Sequence, residues 1–124
     1  MTAMHISSAI PLLRIFSEEK AREFYVGYLG FTVDWEHRFH ADMPLYLQIR
    51  RDDLVLHLTE HYGDTTPGTT VFIPLHGIET LHAELAAKPY RYARPGVEKV
   101  DWGRELTLTD PFGNRLRFCE QSHG

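Results

Sequence analysis

The chain reads as an α+β protein made of two repeats of a β-α-β-β-β unit, a curved mixed sheet wrapped around a concave cleft with helices on its outer face. Three observations predict this. Residues 45–60 and 104–120 share one layout of strand, tight polar turn and strand. Each of these pairs follows one helix and one looser strand. The polar, turn-rich stretch from His61 to Gly68 falls between the two sets. The repeat of about 55 residues is one of order rather than identity. A chain of 124 residues suits one domain over 1–124, with a first module at about 5–61 and a second at about 69–121.

Residues 9–16, Ala-Ile-Pro-Leu-Leu-Arg-Ile-Phe, are β-prone, but Pro11 cannot donate to a ladder, so they form an edge strand. Ser17 caps the next helix and Glu18 and Glu19 suit its first turn. Ala21, Phe24, Tyr25, Tyr28 and Leu29 fall on one helical face, and Gly30 ends it. Strands follow at 31 to about 39, 45–50 and 54–60, with Arg51-Asp52-Asp53 turning the last two. The second set begins with a strand at 69–75. Ile78, Leu81 and Leu85 mark a helix stopped by Pro89, and Tyr90 to about Ala93 begins a looser strand. In the closing hairpin, Leu106, Leu108, Leu116 and Phe118 alternate with polar residues. Asp110-Pro111-Phe112-Gly113 has the residues a type I turn wants.

Composition excludes several classes. Hydrophobic residues at 43% and charged ones at 24% are ordinary for a soluble domain, and no apolar run is long enough to span a membrane. The first residues lack the pattern of an export signal, so a cytoplasmic location is expected. The lone Cys119 allows neither an internal disulfide nor a multi-cysteine zinc site. A net charge of -4 without a basic cluster argues against nucleic acid and favours a cationic ligand.

With helices on one side, the opposite sheet faces must line something. Leu54, Leu56 and Leu58 pack under the first helix, leaving Val55, His57 and Thr59 concave; Leu116 and Phe118 leave Arg115, Arg117 and Cys119 concave. Walls of His, Thr and Arg suit a ligand better than a core. Trp102, beside Gly103 at a strand mouth, either offers its ring to a ligand while the glycine admits a close approach, or caps the core. Trp35 shares a strand face with Phe31 and Val33 and is open to both readings, as is Phe39. Arg104 and Glu105 either orient a polar ligand or pair across strands. His57 and His61 on one strand would lie about 13 Å apart, too far to share a metal. His37 and His40 sit near a loop and face water. Cys119 has no activating histidine nearby, no serine sits in a nucleophile elbow, and no glycine-rich phosphate cradle is present.

The duplicated unit, the Phe24-Tyr25 to Leu29-Gly30-Phe31 segment and the Asp110-Pro111-Phe112-Gly113-Asn114 turn resemble the glyoxalase/bleomycin resistance protein/dioxygenase (vicinal oxygen chelate) superfamily over nearly the whole chain. Ala9-Ile10-Pro11 and Trp102-Gly103-Arg104-Glu105 look most like its bleomycin resistance proteins. Asp101 departs from the proline that drug-binding members tend to carry before the tryptophan.

The resemblance implies that enzymes of the superfamily would hold a divalent metal at the positions of Ile10, His57, Thr70 and Arg117. Only His57 among these ligates well, so neither a metal nor another cofactor is expected. It also implies that Trp102 is the stacking tryptophan of the resistance proteins and that Trp35 and Phe39 stand where their rings meet the drug. The candidate ligand-binding set is Trp102, Gly103, Arg104, Trp35, Phe39, Tyr46, His57 and Arg117, with no catalytic residue. The function expected is non-catalytic binding and sequestration of a bleomycin-like antibiotic, conferring resistance. The alternative is a metal-dependent glyoxalase-type lyase, isomerase or dioxygenase. The resemblance further implies a homodimer that exchanges its N-terminal strand around Pro11, the alternative being a monomer whose two halves pair internally; charge and apolar-run length already argue against a nucleic-acid or membrane partner.

Overall fold

The computed structural model describes residues 3–90 and 95–122. The first unit comprises β1 (Leu12–Arg14), helix α1 (Glu18–Ala21) running on as a π-helix (Arg22–Tyr28), β2 (Thr32–His37), β3 (Tyr46–Arg51) and β4 (Leu54–Thr59). The second repeats that order with β5 (Thr70–Pro74), α2 (Ile78–Ala86), β6 (Glu98–Val100), β7 (Gly103–Thr109) and β8 (Arg115–Gln121). They make two four-stranded mixed sheets, β1-β4-β3-β2 and β5-β8-β7-β6. In each, the first strand pairs parallel with the last and the rest is antiparallel. The two βαβββ modules are therefore present. The looser strand expected from Tyr90 falls at 91–93 outside the described residues; the described strand nearby is β6.

Ser17 caps α1, its Oγ accepting from the Lys20 N–H at 3.2 Å. All five residues of the amphipathic face, Ala21, Phe24, Tyr25, Tyr28 and Leu29, are buried. Leu29 N–H donates to the Phe24 carbonyl at 2.9 Å, a five-residue step that widens the helix before Gly30 ends it at φ 74°. The widened turn fits Tyr25 edge-on to both Phe24 and Phe31, with ring centroids 4.9 and 6.1 Å apart.

The turn between β7 and β8 locks the modules together. Asp110 and Asn114 are both buried. Asp110 Oδ1 accepts from the N–H groups of Phe112 and Asn114, each at 2.8 Å, and Oδ2 accepts from Asn114 Nδ2 at 2.9 Å. Tyr25 Oη, from the other module, donates to Oδ2 at 2.6 Å, and Asn114 Nδ2 also donates to the Arg14 carbonyl. Burial, then the Asp110 charge, push the Tyr25 phenol well above its ordinary value, so it stays a donor. Farther round, Arg51 donates twice to the Glu84 carboxylate at 2.8 Å, and Lys88 donates to the Tyr28 carbonyl.

Candidate ligand-binding site

Strand register assigns each side chain to a face. Leu47, Ile49, Leu56 and Leu58 are buried on the helix side of the first sheet, and Leu106, Leu108, Leu116 and Phe118 on that of the second. On the concave side of the first sheet, Gln48 pairs with His57 and Tyr46 with Thr59, while Leu12 lies opposite His57.

A β-bulge corrects the expected place of Trp35. Val33 pairs with Ile49 on the helix side, but the register shifts across Asp34, and Trp35 pairs with Gln48 on the concave side. Trp35 thus leaves the face of Phe31 and Val33. Its ring lies parallel to that of Tyr46, with centroids 6.0 Å apart, and meets His57 edge-on at 5.4 Å. It remains 43% exposed. Phe39 lies beyond the end of β2, which stops at His37, and its ring packs edge-on against His37 at 4.8 Å.

Both ring nitrogens of His57 are engaged. Nδ1 is 2.6 Å from Tyr46 Oη and Nε2 is 2.9 Å from Gln48 Oε1. Burial lowers the imidazole below its ordinary value, favouring the neutral ring. Burial also raises the Tyr46 phenol, with Asp64 adding to the shift.

On the second sheet, register brings Phe72, Arg117 and Thr107 into one row and Pro74, Cys119 and Glu105 into the next. Trp102 Nε1 donates to Glu105 Oε2 at 2.8 Å, and Glu105 Oε1 stands 4.0 Å from Arg117 Nε. Glu105 is itself buried; its hydrogen bond holds the Trp102 indole, while its second oxygen offers the Arg117 guanidinium charge at longer range. Trp102 is 51% exposed and Phe72 44%. Phe72, absent from the sequence-based set, could have been found by counting two residues on from Thr70.

Three expectations change here. Arg104 pairs with Glu120, on the opposite face to Glu105, and donates to Glu79 and Glu120 at 2.6 and 2.9 Å; it braces α2 rather than lining the concave wall. Gly103 is required by strand packing: at φ 152° an added Cβ would collide with the Glu120 carbonyl and lie 2.9 Å from Gln121 Cα. Thr59 and Cys119 occupy concave register but are fully buried. Thr59 Oγ1 donates to Asp64 at 2.8 Å, and burial followed by the Glu105 charge raises the Cys119 thiol.

The four places that the resemblance gives to metal ligands do not fit a cation. Ile10 has no donor atom, Thr70 is a weak neutral ligand and Arg117 brings positive charge. His57, the remaining one, has both nitrogens in hydrogen bonds.

A cavity of about 570 Å³ opens elsewhere, between the end of the first helix, the β3–β4 turn and α2, with Leu29, Asp53, Ile73 and His76 among its walls. Its Arg51 and Glu84 are already paired with each other, and none of Trp35, Tyr46, His57, Phe72 and Trp102 lines it. The exposed rings and polar groups of the concave faces make the better candidate.

The family model described as "Glyoxalase superfamily protein" matches residues 1–124. No curated protein matches the sequence. Among solved structures, TnmS3, an antibiotic binding protein from Streptomyces sp. CB03234, is 23% identical with a TM-score of 0.73, covering 97% of this chain and 100% of its own. The bleomycin-binding protein from bleomycin-producing Streptomyces verticillus, complexed with copper(II)-bleomycin, is 28% identical with a TM-score of 0.69 over 97% of this chain and 100% of its own. A putative glyoxalase family protein from Bacillus anthracis is 15% identical with a TM-score of 0.70 over 98% and 100%. With the matching model spanning its whole length and the paired βαβββ modules in place, the chain belongs to the glyoxalase superfamily.

Proposed function

We propose that this protein binds and sequesters a flat, antibiotic-like small molecule without transforming it, as a cytoplasmic resistance protein. The observation that carries the reading is the Trp35 ring, turned by the bulge onto the concave face, backed by Tyr46 and left half open. A rigid, backed aromatic surface of this kind suits stacking of a planar ligand. Trp102, held by Glu105, and Phe72 give the second wall the same character. The antibiotic-binding and bleomycin-binding relatives support the class of ligand. Trp35, Tyr46, His57, Trp102 and Arg117 are the residues proposed to line the groove, with Phe39 at its margin.

The proposal includes a homodimer of single-domain chains, each with modules at about 5–61 and 69–121, whose grooves take residues from both chains. Trp35, Phe72 and Trp102 leave large ring surfaces exposed, and Met4 and Ile6, ahead of Pro11, are 85% and 80% exposed. Apolar residues on an arm of this kind are suited to covering a partner. Among the described residues no helix is long and apolar enough to cross a membrane.

Titration with copper(II)-bleomycin, followed by tryptophan fluorescence, tests the binding. Saturable quenching that disappears in Trp35→Ala is expected; an unchanged titration in that variant would overturn the reading. Light scattering tests the assembly, since a mass near 14.4 kDa, that of one chain, would sink the dimer.

A further inference from the structure

Across β2, β3 and β4 the concave face carries a chain of four polar side chains whose hydrogen-bond direction can be worked out atom by atom. Asp34 Oδ2 receives Gln48 Nε2 at 2.8 Å and Arg50 Nε at 3.1 Å. An ionised carboxylate only accepts, so the amide nitrogen of Gln48 is turned toward it. Gln48 Oε1 is thereby turned toward His57, 2.9 Å from Nε2. A carbonyl oxygen needs a donor, so Nε2 carries the hydrogen and Nδ1 of the neutral ring is bare. The 2.6 Å contact between Nδ1 and Tyr46 Oη must then be a bond that the phenol donates. With its proton committed inward, the Tyr46 oxygen has only acceptor capacity left.

We propose that Asp34, Gln48, His57 and Tyr46 form a one-way hydrogen-bond relay that presents the Tyr46 oxygen as an acceptor, selecting ligand rings that carry an N–H donor. The inference rests on the groove reading above and names the chemistry that the groove selects. The bulge serves both halves of the site, because Asp34 anchors the relay and Trp35, the next residue, stacks on its terminal tyrosine. A ring laid across the edges of the parallel Trp35–Tyr46 pair meets both, and an N–H on it finds a fixed acceptor. A ring offering only acceptors meets another acceptor and loses the bond it made to water. The relay gives His57, whose two ring nitrogens are both engaged, its role, which is to orient a phenol.

Two measurements on the full chain test this. A long-range 1H–15N correlation spectrum at neutral pH, with His57 assigned by difference from His57→Asn, is expected to show the Nε2–H tautomer, and Gln48→Leu to lose that fixed state. Binding of indole and N-methylindole, followed through the tryptophan resonances, is expected to favour indole by about fivefold, the worth of one net hydrogen bond. Tyr46→Phe, which keeps the ring stack, should bring that ratio to about one. An Nδ1–H tautomer, or equal affinity for the two indoles, overturns the relay. Equal affinities alongside normal bleomycin quenching strike the acceptor assignment alone; loss of every aromatic ligand strikes the groove and the assignment together.

Discussion

Removing the Tyr25 hydroxyl with Tyr25→Phe tests the junction of the two modules. Tyr25 is fully buried, and its hydroxyl supplies one of four hydrogen bonds to the Asp110 carboxylate. A hydrogen bond to a charged group contributes about 1.5 to 3 kcal/mol. Asp110 keeps three donors in the variant, so the loss belongs toward the lower end, about 2 kcal/mol. Asp110→Ala goes further, because it strands the phenol, one amide and two backbone N–H groups. At about 1 to 3 kcal/mol for each stranded donor, partly relieved by water, it should cost about 4 kcal/mol. Either is a large part of a total stability of about 5 to 15 kcal/mol. Urea denaturation at one fixed protein concentration measures both, and the double variant should show a coupling of about 2 kcal/mol, because Tyr25→Phe removes nothing further once the carboxylate is gone. A Tyr25→Phe loss below about 0.5 kcal/mol, or strict additivity in the double variant, would refute the assignment of this contact as a structural lock.

Trp102→Ala should weaken ligand binding by about tenfold or more, the usual worth of one stacked ring, with its urea midpoint little changed; an unaltered affinity would remove Trp102 from the groove. Gly103→Ala should lower stability by at least about 2 kcal/mol because its Cβ has no room beside the Glu120 carbonyl, which thermal melts will show. The N–H groups of Gly77 and Ile78, then Arg104, hold the Glu120 carboxylate at about 2. Its contribution is therefore complete above the ordinary carboxylate value and lost as pH falls through that range toward about 2. Glu120→Gln should be less stable than the natural protein at neutral pH and close to it near pH 2, as urea midpoints across that range will report.

Local pattern made most of the frame legible. The buried face of the first helix follows from spacing alone, as do the two hairpins, because amphipathic period and turn chemistry act within a few residues. The face of Arg104 was legible too: residues 104, 106 and 108 share a parity, so leucines at 106 and 108 place Arg104 on the helix side. Trp35 was not, since a bulge at Asp34 leaves the sequence alternation looking unbroken while reversing the face that follows it. The hydrogen-bond chain through His57 was hidden because it joins three strands whose register is set by the whole sheet. The Asp110 turn announced its own shape but not its reach to Tyr25.

That reach orders events along the chain. Tyr25 and Asp110 are 85 residues apart, and Asn114 and Arg14 are 100 apart. While the chain is being made, the first module has its helix and three-stranded hairpin region available long before the carboxylate that satisfies its buried phenol exists. Closing a loop of that length costs chain entropy before any contact returns it, so the junction belongs to the late, slow part of folding. Until then the inner face of the first helix is open to other copies of the chain, and high expression should favour association at this half-built stage. Lower temperature or slower synthesis would give the last hairpin time to arrive.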